Sequence, residues 1–157
     1  MLKRASVVCA IALVLAFIGA CKGKSPTGAS GANYAGTWNG TYHIDTCTAT
    51  FLIDSWCPSA LGSTAPLQLS LTQSGSSVTG TIAFQNVTGS VSGTVGANGV
   101  LSLSGTASTA DGHFTLTAWS TTVSGTSMSG TFTFQTFLND RTGQATNGCR
   151  IVTMTRS

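Results

Sequence analysis

Charge is the scarcest property of this 157-residue chain: only 7% of its residues are Asp, Glu, Lys or Arg. Its four acidic residues are all aspartates (Asp45, Asp54, Asp111 and Asp140), and glutamate is absent. With no basic stripe there is no electrostatic footprint for nucleic acid, and no such partner is expected. Helical periodicity is missing too, since no stretch repeats apolar residues at three- and four-residue steps for long enough to matter. The chain also lacks Gly-x-Ser-x-Gly, a phosphate-binding loop and a metal-spaced His cluster. His43 with Asp45, and Asp111 with His113, come nearest to a general-base pair. Both read as solvated strand ends, so neither enzyme activity nor a metal or cofactor is expected.

The amino end is the most ordered part of the pattern. Lys3 and Arg4 precede an uncharged apolar run, Ala5 to Phe17, which closes on small residues before Cys21. Charged, apolar and small, in that order, is the layout of a secretory signal. The run is shorter than the about 20 apolar residues that a spanning helix needs. Ile18-Gly19-Ala20-Cys21 resembles the lipobox of bacterial lipoproteins. That resemblance implies cleavage before Cys21, diacylglycerol on its thiol and an acyl chain such as palmitate on the new amino terminus. Several chains on one cysteine meet the physical need for stable anchoring, which a single chain does not. Lys22 in place of an aspartate after the cysteine implies the outer membrane, with its periplasmic or outer face left open. The expected layout is a signal peptide over 1–20, a flexible tether over 21–33 and one domain over 34–157.

Of the five cysteines, Cys9 leaves with the signal and Cys21 is acylated. Cys47, Cys57 and Cys149 remain, in an export compartment that permits disulfides. Three cysteines allow at most one internal bridge, and their spacing offers no four-ligand metal site. Cys47 lies just beyond the first expected strand and Cys149 opens the last, so Cys47–Cys149 is the favoured pairing. The other pairings stay open, and among them Cys57–Cys149 would pin the long loop over a barrel end. The leftover thiol is expected to be buried.

From Gly36 onward the chain alternates apolar and polar residues. Eight segments show period two: 36–44, 67–73, 78–84, 87–95, 101–107, 113–119, 127–135 and 150–156. Turn-forming residues at 74–77, 96–99, 109–112 and 139–143 separate several of them. The connection from Asp45 to Pro66 is too long for an ordinary loop and is expected to hold a strand or short helix around "ATFLIDSW". Sequential antiparallel strands with one apolar face predict an all-β, eight-stranded up-and-down barrel, with a β-sandwich as the alternative. A barrel leaves no edge strand to aggregate. The polar strand face is almost wholly Thr and Ser, so the apolar face points inward.

Gly36-Thr37-Trp38 resembles the Gly-x-Trp signature of the calycin barrels, which include lipocalins, fatty-acid-binding proteins and avidins. The resemblance implies that Trp38 closes one barrel end and that an arginine of the last strand, here Arg156, packs across it. Val78-Thr79-Gly80-Thr81, Ala118-Trp119 and Met128-Ser129-Gly130-Thr131 are similar to strands of avidins. Met128 stands where avidins carry a binding tryptophan and Gly40 where they carry a ligand-binding asparagine, so the likeness extends to the barrel and not to biotin.

Parity from Trp38 places Tyr42, Phe84, Phe114, Met128, Phe132 and Phe134 inside, as candidate lining for a small apolar ligand. Parity also sets Arg156 inward with Val152 and Met154. Glycines at inward positions 40, 80, 89, 93, 105 and 130 would either leave a cavity or let the strands coil as the barrel closes. Two functions follow as expectations. One is a lipid-anchored carrier of a small apolar ligand. The other is a filled barrel acting through its surface as an inhibitor, adhesion or envelope assembly module, with Phe51 and Trp56 as contact residues.

Overall fold

The computed structural model describes residues 31–50, 55–84, 87–138 and 143–157. Eight strands account for most of them: β1 (Gly36–Ala49), β2 (Thr64–Ser74), β3 (Ser77–Phe84), β4 (Val87–Val95), β5 (Leu101–Ser108), β6 (Gly112–Ser124), β7 (Ser127–Leu138) and β8 (Gln144–Arg156). Each pairs antiparallel with the next, and β8 returns to β1, so the sheet is a closed up-and-down barrel and not a sandwich. The long connection holds one short helix, α1 (Trp56–Ala60), at the end of the stretch where an extra element was expected.

Alternation dictates which residues form the core. Trp38, Tyr42, Leu67, Leu69, Leu71, Val78, Ile82, Leu101, Leu103, Met128 and Phe132 are all buried, as period two requires. The opposite faces carry hydroxyls. One outward rung runs Ser70, Thr81, Ser90, Thr106 and Thr115 across five neighbouring strands, with no charge in it. Strand ends fall into two groups. The proximal end holds Gly36 and the β2–β3, β4–β5 and β6–β7 turns, and the distal end holds α1 and the β5–β6 connection.

Simple parity fails at three one-residue bulges. Beside β8, β1 shifts register between Ile44 and Thr46, which sets Asp45 out of step. Along β6 the shift falls between Leu116 and Ala118. Along β8 it falls at Val152, because Thr41 pairs with Thr153 while Tyr42 pairs with Ile151. Val152 is therefore 50% exposed, whereas Ile151 and Met154 are buried. This corrects the expectation that Val152 points inward with Arg156. The same device turns Trp119 and Thr121 into the core after Thr117, although strict alternation from Phe114 and Leu116 would face them outward.

Glycine decides how closely the strands approach. A Cβ on Gly93 would overlap the carbonyl oxygen of Ser102 on the adjacent strand, and one on Gly40 would overlap that of Thr153. Large and small residues also alternate around the inner wall, as Leu71, Gly80, Val91, Gly105 and Leu116 in register. The inward glycines therefore serve close strand approach and coiling. Gly93→Ala is expected to cost about 3 kcal/mol in urea unfolding, against less than about 0.5 kcal/mol for Ser76→Ala on an exposed turn. Equal midpoints for the two variants would contradict this account.

Candidate functional site

Among the described residues, side chains lie across both barrel ends. At the proximal end Trp38 is fully buried, and its Nε1–H donates to the Tyr34 carbonyl oxygen at 2.8 Å. The Arg156 guanidinium lies over the indole, 4.6 Å from its centroid, as the Gly-x-Trp resemblance implied. One Nη donates to the carbonyl oxygen of Asn33. Tyr34 completes the closure. It is fully buried, and its hydroxyl lies 2.7 Å from the Gly99 oxygen and 2.9 Å from that of Thr121. Burial pushes the Tyr34 hydroxyl above its ordinary pKa, so it stays a donor. Sequence reasoning gave Tyr34 no role. Its spacing of four residues before Trp38 was the available signal.

The distal end is built differently. Cys47 and Cys57 form a disulfide with a Cα–Cα distance of 5.5 Å, tying α1 to β1. This overturns both expected pairings, Cys47–Cys149 and Cys57–Cys149. The length of β1, which runs on to Ala49, explains why. β1 continues through Cys47, which faces Asn147, while Cys149 pairs with Ile44 one step deeper in the barrel. Cys149 is left as a buried free thiol. Trp56 of α1 is half-buried against the core, and its Nε1–H donates to Asn147 Oδ1 at 3.1 Å. Asn147 is itself fully buried and donates from Nδ2 to Thr136 Oγ1 at 3.5 Å. Two polar side chains that an apolar core would exclude are thereby satisfied by each other and by the lid. Phe51 lies outside the described residues.

Between the two ends the expected ligand-lining residues meet one another. Tyr42 stands edge-on to Phe84, Phe132 and Phe134 with centroids 5.9, 5.4 and 6.3 Å away. Phe84 and Phe134 are 5.5 Å apart, and Phe114 lies 5.8 Å from Phe134. Trp119 stacks on Phe132 at 4.9 Å, and Met128 is buried. Depressions open on the surface of the described residues. One sits at the proximal end, and another lies on the outer wall over β4, β5 and β6.

The expected titratable pairs are on the outside. His43 Nδ1 is 3.0 Å from Asp45 Oδ1, and Arg150 binds the same oxygen. An arginine already occupying the carboxylate makes this a strand-end ion cluster, with no reacting group between its members. His113 stacks on Phe137 at 4.5 Å.

An eight-stranded antiparallel barrel closed by Trp38 and Arg156 is consistent with a calycin-like barrel. Searched against protein-family models, curated proteins and solved structures, the chain matches none of them.

Two outcomes follow from the distal chemistry. Replacing Cys47 and Cys57 together by serine is expected to lower stability by about 2–3 kcal/mol, the loop-closure contribution of a bridge this short. Burial pushes Cys149 from 9.0 up to about 12, and burial together with the neighbouring Cys149 pushes Tyr42 from 10.0 to about 12. Both groups hold their protons more tightly when folded. Their contribution is therefore complete below pH 9 and is lost as pH rises towards 12, at about 1.4 kcal/mol per pH unit for each group. Alkaline unfolding should begin above pH 9 in the native chain and nearer 10 in Cys149→Ser. An unchanged onset would contradict the assignment.

Proposed function

We propose that the protein is an envelope lipoprotein, anchored through Cys21, whose filled barrel works through its surface and not by enclosing a ligand. The observation that carries this reading is the set of ring contacts among Tyr42, Phe84, Phe114, Phe132 and Phe134, which occupy the volume a ligand would need. An eight-stranded barrel is only about wide enough either to fill with side chains or to hold one small molecule. The proximal closure by Trp38, Arg156 and Tyr34 supports the same reading. A surface role as an inhibitor, adhesion or assembly module fits an exposed distal contact. With Trp56 half-buried, Leu61 beside α1, 54% exposed, is the large apolar group presented there among the described residues.

The anchor half of the proposal is supported by the Ile18-Gly19-Ala20-Cys21 sequence and the small-residue tether after it. Two measurements test the halves separately. Cells expressing the full chain should incorporate labelled palmitate, and Cys21→Ser should abolish the label and release the barrel from membranes. Native mass spectrometry of the exported, unlipidated barrel should give the bare chain mass, unchanged by added fatty acids, haem or biotin. A discrete extra mass that departs on unfolding would restore the apolar-carrier reading.

A further inference from the structure

The proximal closure leaves one strong donor unused. Arg156 is held by Trp38 beneath it and by the carbonyl of Asn33 on one Nη, yet its Nε is buried with no hydrogen-bond partner. A buried donor with no partner is costly, and natural structures rarely tolerate one without a purpose. Beside it opens the proximal depression, about 470 Å³, bordered by Asn33, Asn98, Thr122, Gly125 and Arg156. Its lining holds hydroxyl, amide and guanidinium groups and no carboxylate. The two described aspartates, Asp45 and Asp111, lie towards the distal end. A fixed guanidinium in a cleft of neutral polar groups suits a planar or tetrahedral oxyanion.

The approach of the chain adds a second observation. Gly31 lines this same depression, and Lys22 and Lys24 lie shortly upstream of it in sequence, next to Cys21. The end of the barrel that carries the orphaned cation is therefore the end that the chain enters from the acyl attachment point. We propose that the depression beside Arg156 takes the phosphate of an anionic lipid headgroup, so that the barrel docks end-on against the membrane. The proposal rests on the anchored-lipoprotein reading above.

One arginine with two or three neutral donors gives a weak site by itself. Anchoring removes the difficulty. Ten chain steps separate Gly31 from Cys21, so an anchor there holds the site within about 36 Å of a surface made of headgroups. At the resulting effective concentration, a site of about millimolar affinity is filled. Basic side chains near an anionic surface add to the attraction in the same direction.

The test uses the chain from Lys22 onward, without acyl groups, because β1 and β8 close the barrel wholly within the described residues. The side-chain Nε–H resonance of Arg156 is followed by NMR. It is titrated with inorganic phosphate, with sodium chloride at equal ionic strength, and with bicelles of phosphatidylcholine alone or mixed with phosphatidylglycerol. The expected result is a saturable shift with phosphate and with the phosphatidylglycerol bicelles, and none with chloride or phosphatidylcholine. Asn98→Asp keeps the Oδ1 that accepts from the Val100 N–H and places a carboxylate in the depression. It should weaken both responses at least tenfold while the rest of the spectrum stays that of the folded barrel. A shift with inorganic phosphate alone would overturn the lipid assignment and leave a free-anion site. No shift with either would overturn the site itself. Both results are independent of palmitate incorporation at Cys21, so failure of the docking site and failure of the anchor are told apart.

Discussion

The seam between β1 and β8 is the interaction on which the rest of the structure depends. A chain with so little charge has few means of protecting an open sheet edge, and joining first strand to last removes both edges together. The seam also fixes the ends. It lays Arg156 opposite Trp38 at one end of β1 and Asn147 opposite Cys47 at the other. Bulges at Asp45 and Val152 sit within it, one on each strand, and turn the side chains beyond them to new faces. The outer cluster of His43, Asp45 and Arg150 is a product of the same pairing, since Arg150 stands directly opposite His43.

The two closures use different chemistry because the chain reaches them differently. At the proximal end the segment before β1 folds over the opening and is held by noncovalent contacts alone. Tyr34 hydrogen-bonds to the carbonyls of Gly99 and Thr121, and its own N–H donates to Gln73 Oε1 at 2.7 Å. At the distal end α1 is a five-residue helix, too short to be stable by itself, and a covalent tie to β1 holds it in place. Between them the rings of Tyr42, Phe84, Phe132 and Phe134 meet one another. Where a neighbouring backbone comes too close for any side chain, as at Gly40 and Gly93, the position is glycine.

Period two made the barrel legible. Every expected strand is present, and the inward residues of β1 to β5 follow from Trp38 by counting. The count breaks where a strand gains one residue. Nothing about Thr117 or Val152 as residue types announces a bulge, because the cause is the coiling of the whole sheet and lies outside the local sequence. Trp119 was missed for that reason, and Val152 was placed on the wrong face. The disulfide was misread for a related one. Reasoning from strand ends brought Cys47 beside Cys149, but β1 runs on to Ala49 and carries Cys47 past it to α1. Asn147 and Thr136 could not be assigned to the core from their chemistry, since a buried amide is tolerated only when its particular partners are known.

The rung from Ser70 to Thr115 has a consequence for how the molecule behaves among its neighbours. Hydroxyl groups offer dipoles at contact distance but no field beyond it, so dissolved ions have almost nothing on this wall to screen. Encounters across it are governed by shape and by the displacement of surface water, not by long-range attraction or repulsion. The wall is therefore nearly indifferent to ionic strength, and contacts across it keep their strength from dilute to concentrated salt.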